Sequence, residues 1–179
     1  MNTDMKDKVA VVTGGSSGIG LAAAAAFLRD GARVAICGRN QERLDEAAAD
    51  LAKISGAENV LAVACDVLEE ADVENLRDTV MAKFGRCDAL VCNAGQARQS
   101  NFYNTSDQDW RDEFELKFFS VLRPARAFVD MLEASGAGAI VLTSAMLARN
   151  PEPFLIATGA TRAGQINLAK SLSLEFAAK

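Results

Sequence analysis

Residues 9–20 have the sequence VAVVTGGSSGIG, in which a short apolar run rich in β-branched residues leads into a glycine-rich turn. An alanine-rich segment from Leu21 to Leu28 follows at once and has the composition of a helix. Glycines let the backbone turn tightly and approach an anion, and the start of a helix offers free N–H groups and the positive end of its dipole. The stretch predicts a strand, a phosphate-binding turn and a helix; the alternative is an ordinary glycine-rich connection without a ligand.

The alternation of strand and helix continues along the chain. Further strands are predicted at 33–37, 60–64, 89–92 and 139–143, and further helices at 41–54, 69–84, 107–133 and 155–178. Pro124 is expected to kink or break the helix at 107–133. Because the strands are continuous apolar runs, both faces of their sheet are expected to be covered. The predicted fold is α/β: a doubly wound parallel sheet in a Rossmann-type three-layer α/β/α sandwich, which binds ligands at the carboxyl ends of its strands.

Composition limits the classes of partner. The chain has 179 residues and a net charge of −5, which argues against nucleic acid or an anionic membrane. No apolar run is long enough to span a bilayer, and residues 1–8 lack the apolar core of a signal peptide. Three of the four cysteines, Cys37, Cys65 and Cys92, lie in or beside predicted strands and have the character of small buried residues of a reducing cytoplasm, where we expect the protein to act; the alternative is a disulfide or metal site. The chain has no histidine, which excludes histidine-based triads, and we expect no metal.

Three motifs occur in order along the chain: TGGSSGIG at 13–20, Asp66-Val67 after the third predicted strand, and Asn93-Ala94-Gly95 after the fourth. Together they resemble the short-chain dehydrogenase/reductase family, and the resemblance spans essentially the whole chain. The family implies a bound nicotinamide dinucleotide. Its cofactor contacts then fall on Gly14, Ser16, Ser17, Gly18, Ile19, Gly20, Arg39, Asp66, Val67, Asn93, Ala94 and Gly95.

These contacts divide among parts of the cofactor. The turn would hold the pyrophosphate and the adenosine ribose, Asp66 and Val67 would flank the adenine, and residues 93–95 would line the cofactor's middle. At the end of the second strand Gly38-Arg39 offers no acid for a ribose 2′-hydroxyl but a guanidinium that suits a 2′-phosphate. NADP is therefore preferred over NAD; the alternative is that Arg39 is a solvated surface charge.

The family's Asn-Ser-Tyr-Lys catalytic set is not found where the resemblance places it. Those positions hold Lys117, Ala145, Thr158 and Arg162 respectively, and a shift of one residue would make Ser144 the serine. A threonine hydroxyl is a far weaker acid than a tyrosine, and arginine stays protonated and cannot relay a proton as lysine can. The candidate catalytic residues are therefore Ser144, Thr158, Arg162 and Lys117.

Two functions remain open. One is an NAD(P)-dependent oxidoreductase that transfers hydride between NADPH and a small carbonyl or alcohol substrate with altered proton chemistry. The other is a weak or inactive pseudoenzyme that binds NADP(H) as a sensor or scaffold. We expect one domain over 1–179 that lacks the family's C-terminal strands and substrate-covering segment. We also expect a homodimer or homotetramer built through helices 107–133 and 155–178, with the small residues Ala160, Ala163, Gly164 and Asn167 at the contact.

Overall fold

The computed structural model describes residues 5–177, in which strands and helices alternate. The elements are β1 (Val9–Thr13), α1 (Gly18–Arg29), β2 (Arg33–Gly38), α2 (Gln41–Ser55), β3 (Val60–Ala64), α3 (Glu70–Phe84), β4 (Ala89–Cys92), α4 (Asp107–Ala134), β5 (Ala139–Leu142) and α5 (Ile156–Phe176). The predicted elements are confirmed to within a few residues. The expected end of the last helix at residue 178 lies outside the described residues.

The five strands form one parallel sheet in the order β3-β2-β1-β4-β5. Every residue of β1 is buried, as its uninterrupted apolar sequence predicts for the central strand. One hydrophobic cluster packs α1 and α2 against one face of the sheet, and a second packs α3, α4 and part of α5 against the other. This arrangement confirms the doubly wound three-layer fold. β2 and β3 lie on one side of β1, and β4 and β5 lie on the other, so the strand order reverses at β1. This reversal places a binding crevice at the carboxyl ends of the strands around β1.

The sequence and the structure differ at two helices. α1 begins at Gly18 rather than Leu21, so the last three residues of the glycine stretch, 18–20, already belong to the helix. α4 runs without a break through Pro124, and the expected break is wrong. Pro124 is buried, as are Val121 and Phe128 one turn to either side. The buried face of α4 therefore continues across the proline, and its packing offsets the missing backbone hydrogen bond.

The two long helices begin differently. A capping box starts α4: Ser106 Oγ accepts from the N–H of Asp109, and the Asp109 carboxylate accepts from the N–H of Ser106. α5 has no side-chain cap and starts where Leu155 forms a parallel bridge with Ser100. This bridge joins the segment after β4 to the segment after β5, both at the carboxyl edge of the sheet.

β5 lies at the sheet edge. Among the described residues it pairs with β4 alone, and Val141 is 50% exposed, in contrast to the fully buried β1. The expected extent of the domain beyond this edge stays a prediction. Within residues 5–177, no helix combines the length and the apolar character needed to cross a membrane.

Candidate functional site

A cleft opens at the carboxyl ends of the central strands, at the point where the strand order reverses. It is bounded by the connections after β1, β2, β3 and β4, so all three sequence motifs contribute to it. Its lining residues are Gly14, Ser16, Ser17, Cys37, Gly38, Arg39, Asn40, Arg43, Cys65, Asp66, Val67, Ala94, Gly95, Gln96 and Leu116. The structure thus gathers most of the predicted cofactor contacts in one place.

The glycine turn is shaped for an anion. Gly14 and Gly18 have φ values of +65° and +54°, which other residues rarely adopt. A Cβ on Gly20 would collide with the carbonyl oxygen of Gly14, so the helix can approach the turn only at a glycine. The N-cap residue Ser17 makes no side-chain capping bond, which leaves N–H groups in the first turn of α1 for another acceptor. A pyrophosphate fits this arrangement.

Asn93 holds the turn in place. Its Nδ2 donates to the carbonyl oxygens of Thr13 and Gly14, each at 3.2 Å. In return, Thr13 Oγ1 accepts from the backbone N–H of Asn93 at 3.0 Å and of Ala94 at 3.1 Å. These bonds lock the end of β4 to the end of β1. Asn93, Gly18, Ile19 and Gly20 do not line the cleft themselves. For these four, as for the residues that do line it, the assignment as cofactor contacts stays a prediction.

Charged side chains stand at the end of the cleft formed by β2 and β3. Arg39 Nη1 lies 3.7 Å from Asp66 Oδ2, and the Arg39 side chain is 70% exposed. Arg43, from the first turn of α2, faces the same space. Since both arginines line the cleft, their guanidiniums can donate hydrogen bonds to a phosphate there. Sequence reasoning missed Arg43, although it lies only four residues after Arg39.

Two thiols lie beside these charges. A hydrogen bond with Cys65, together with burial, raises the pKa of the Cys37 thiol well above its ordinary value. Cys37 therefore stays a neutral, apolar part of the cleft wall. Within the described part of the chain, the acidic and cysteine side chains form no group that could hold a metal ion.

Two of the predicted catalytic residues, Lys117 and Thr158, lie in a second, buried cluster next to the cleft. Lys117 Nζ lies 3.1 Å from Glu113 Oε2, and the two side chains are 1% and 3% exposed. The same carboxylate oxygen accepts from Thr158 Oγ1 at 2.9 Å. Lys117 Nζ also donates to the carbonyl oxygen of Gln96 at 2.6 Å. Burial lowers the pKa of Lys117, and the hydrogen bond and negative charge of Glu113 act in the opposite direction.

Arg162 adjoins this cluster from α5. Its Nη1 donates to the carbonyl oxygen of Thr143 at 2.5 Å and to Gln165 Oε1 at 2.9 Å. Gln165 in turn donates to the carbonyl oxygen of Lys117, so the two cations are linked. Nη2 of Arg162 is close to Gly95, since a Cβ there would lie 3.5 Å away. Burial lowers the pKa of Arg162, and its buried Nε has no partner among the described residues.

The remaining candidates lie outside these contacts. Ser144 is exposed and Ala145 half-buried in the connection that follows β5. Tyr103, the single tyrosine of the sequence, was not a candidate; it is 91% exposed and stacks edge-on against Phe102. Sequence reasoning missed Glu113, the residue that joins Lys117 to Thr158. Its signal was an acid four residues before Lys117 on one predicted helix, the spacing of an ion pair.

Comparison with known proteins agrees with this site. The sequence model of the short chain dehydrogenase family matches residues 8–179. A D-threitol dehydrogenase of Mycolicibacterium smegmatis is 36% identical over 169 residues, which cover 94% of this chain and 64% of that protein. A Bacillus subtilis protein described as an uncharacterized oxidoreductase is 31% identical over 97% of this chain and 64% of its own length. The chain thus spans about two thirds of the length of these relatives.

Solved structures give the same result. An NADPH-bound short chain oxidoreductase from Pseudomonas aeruginosa, described as containing an atypical catalytic center, is 46% identical with a TM-score of 0.93, over 96% of this chain and 66% of that one. The L-sorbose reductase of Gluconobacter frateurii, solved with NADPH and L-sorbose, is 35% identical with a TM-score of 0.92, over 98% and 66% of the two chains. The match of sequence and fold along nearly the whole chain shows that this protein belongs to the short chain dehydrogenase family.

Proposed function

We propose that the protein binds NADPH and reduces the carbonyl group of a small molecule. The observation that carries the proposal is the cleft: an uncapped helix start and a glycine turn face it from one side, and the ends of three more strands complete it. The two similar structures that hold NADPH support the same cofactor here. When bound, NADPH supplies the hydride for the carbonyl carbon.

The chain's own residues would divide the cofactor between them. The N–H groups at the start of α1 would bind the pyrophosphate, and Asp66 and Val67 would flank the adenine. Arg39 and Arg43 would bind a 2′-phosphate, which favours NADP over NAD. Arg162, beside Gly95, would lie at the nicotinamide end and hold a ribose hydroxyl there.

The proton for the substrate oxygen has a restricted set of sources. Thr158 is 2% exposed and donates its single hydroxyl proton to Glu113, so it is not free to act on a substrate. Ser144 is an exposed hydroxyl at the end of β5 and would orient the substrate oxygen. Water would then supply the proton. This chemistry is weaker than that of a tyrosine, and we expect slow turnover.

The second candidate function is binding of NADP(H) without turnover, as a sensor or scaffold. It is favoured by one observation: the threonine at the position of the family's tyrosine is buried and bonded inside the protein. The two candidates share the cofactor site and differ only in catalysis.

One experiment separates them. NADPH fluorescence measures binding, and a single-turnover assay with excess protein and a panel of ketones and keto sugars measures hydride transfer. Oxidation of bound NADPH that depends on a ketone supports the reductase. Tight binding with no oxidation across the panel supports the sensor or scaffold, and no binding contradicts both.

We further propose a homodimer or homotetramer in the cytoplasm, built through α4 and α5. Gly164 packs against α4 of the same chain, since a Cβ there would collide with the ring of Phe118. Ala160, Ala163 and Asn167 are exposed on α5 and remain for a neighbouring copy. The four cysteines are free and buried, which fits a reducing compartment. Sedimentation as a monomer at micromolar concentration would contradict the assembly.

A further inference from the structure

Glu113 connects three segments of the chain: α4, α5 and the connection that contains Gln96. It lies on α4, its Oε2 accepts from Thr158 on α5, and the same oxygen pairs with Lys117, whose ammonium donates to the Gln96 carbonyl. The other acidic side chains of α4 are exposed or half-buried, so Glu113 is the acid of this helix that faces inward. A buried carboxylate is costly unless it is paired and hydrogen-bonded, and here both conditions hold.

The segment that these bonds reach forms one wall of the dinucleotide cleft. Ala94, Gly95 and Gln96 line the cleft, and residues 93–99 have no regular secondary structure of their own. Two points of this segment are fixed through Glu113. Lys117 holds the Gln96 carbonyl at 2.6 Å, and Thr158 Oγ1 accepts from the N–H of Arg98 at 3.3 Å.

We propose, on the basis of the NADPH site proposed above, that Glu113 is a positioning residue for the cofactor. Its carboxylate pairs with the Lys117 ammonium and aims it at the Gln96 carbonyl, and thereby sets the position of the cleft wall beside Gly95. A flexible lysine side chain has several rotamers, and a fixed carboxylate partner selects one of them. Lys117 and Thr158 hold the backbone of this segment, and Glu113 acts on the cofactor only through these two residues.

The position of this wall predicts which half of the cofactor depends on Glu113. Gly95 and Gln96 follow β4, and the Arg162 guanidinium lies next to Gly95. Arg39 and Asp66 follow β2 and β3 on the other side of β1. Loss of the Glu113 carboxylate should therefore affect the nicotinamide half and leave the adenosine half in place.

The test compares two ligands on one variant. Glu113→Gln keeps the size of the side chain and removes its charge. Dissociation constants are measured by calorimetry for NADPH and for 2′,5′-ADP, which contains only the adenosine half with its 2′-phosphate. We expect the variant to bind NADPH on the order of tenfold more weakly, the effect of one charge-assisted hydrogen bond, and to bind 2′,5′-ADP as the parent does.

Glu115→Gln is the matched control. It lies on the same helix, but its partner is Arg123 and its side chain is 42% exposed, so both dissociation constants should match those of the parent. Glu113→Leu combined with Lys117→Met serves as a second variant if Glu113→Gln does not fold, because it removes the bond to the Gln96 carbonyl without leaving a charge unpaired. It should show the same selective loss for NADPH.

The outcomes are distinct. Equal weakening of both ligands would indicate general destabilisation and overturn the positioning role. Unchanged NADPH binding in a folded variant would also overturn it while leaving the proposed function intact. A parent protein that binds neither ligand would overturn the proposed function, and this inference with it.

Discussion

Lys117 Nζ and Glu113 Oε2 are 3.1 Å apart, in a place where both side chains are almost completely buried. The resemblance assigned Lys117 to the position of the family's catalytic asparagine. In the structure, Lys117 and Glu113 form a buried ion pair, and both side chains make their other hydrogen bonds to groups of the protein. Lys117 and Thr158, which the resemblance places at two of the family's catalytic positions, are therefore joined through Glu113.

This coupling predicts the stability of variants at the pair. Lys117→Met and Glu113→Leu should each lower the free energy of unfolding by about 3–5 kcal/mol, because each leaves one charge buried without its partner. The double variant should lose clearly less than the sum, since no charge is then left unpaired. Urea denaturation of the parent, the two single variants and the double variant measures this.

An exposed pair on the same helix provides the comparison. Arg123 and Glu115 are 2.9 Å apart with side chains 23% and 42% exposed, and breaking this pair should cost less than about 1 kcal/mol. If the losses at Lys117 and Glu113 were simply additive in the double variant, the two side chains would not interact as the distance indicates.

Much of the fold follows from short-range sequence patterns. The strands were predictable because buried parallel strands are continuous apolar runs, and β1 and β4 are examples. The cleft was predictable because strand ends of one parallel sheet meet at one edge. A long helix over 107–133 was predictable as well, but α4 does not break at Pro124, because its packing along the buried face offsets the local penalty.

The second cluster was not predictable in the same way. Its distances join Gln96, Glu113 and Thr158, which are far apart in sequence and meet only through the packing of α4 and α5. A single sequence shows which residue types are present but not which way a helix turns its side chains. The burial of Thr158, which decides its chemistry, is a property of the folded chain alone.

The cofactor preference depends on Arg39. Replacing Arg39 by Ala should weaken NADPH binding about tenfold and leave NADH binding unchanged, because only NADPH carries the 2′-phosphate. Fluorescence titration of both cofactors against the parent and the variant measures the two effects. Lys53→Ala, at the opposite end of α2 and 75% exposed, is the matched loss of one positive charge. An equal loss for NADPH and NADH would assign Arg39 to general positioning of the cofactor.

Buried thiols should make the protein sensitive to alkali. Burial raises the pKa of Cys92 from 9.0 to about 12, and burial, together with the charge of Asp88, raises the pKa of Cys87 to about 12. Since these folded-state values lie above the unfolded value, the thiols' contribution to stability is fully present below pH 9.0 and is lost as the pH rises toward 12. For one thiol this loss is on the order of 4 kcal/mol across the whole range.

Urea denaturation at neutral pH and at successive values above 9.0 tests this expectation. Cys92→Ala should show a shallower fall in stability with pH than the parent. Lys117 works against the trend, because its lowered pKa makes the unfolded state bind more protons at alkaline pH and so favours folding there. A parent whose stability does not fall above pH 9.0 would show that the thiols ionise as readily in the folded state as in the unfolded one.

The last prediction concerns restoring the family's catalytic set. The four changes Lys117→Asn, Ala145→Ser, Thr158→Tyr and Arg162→Lys should not be enough, because they leave the Glu113 carboxylate buried without its ammonium partner. They also place a large ring in space that Thr158 shares with Glu113 at 2.9 Å. Adding Glu113→Leu removes the unpaired charge, and we expect only this variant with five substitutions to be both folded and active.

The measurements are circular dichroism for folding and NADPH oxidation with a panel of ketones for activity. A working general acid increases the rate by about 10²–10⁴-fold, so the variant with all five substitutions should oxidise NADPH clearly faster than the parent. The changes must be tested together, since residues that act as one unit are strongly non-additive. Glu113→Leu in the parent background is the control and should gain no activity. If the variant with four substitutions were as stable and as active as the variant with five, Glu113 would place no constraint on the catalytic positions.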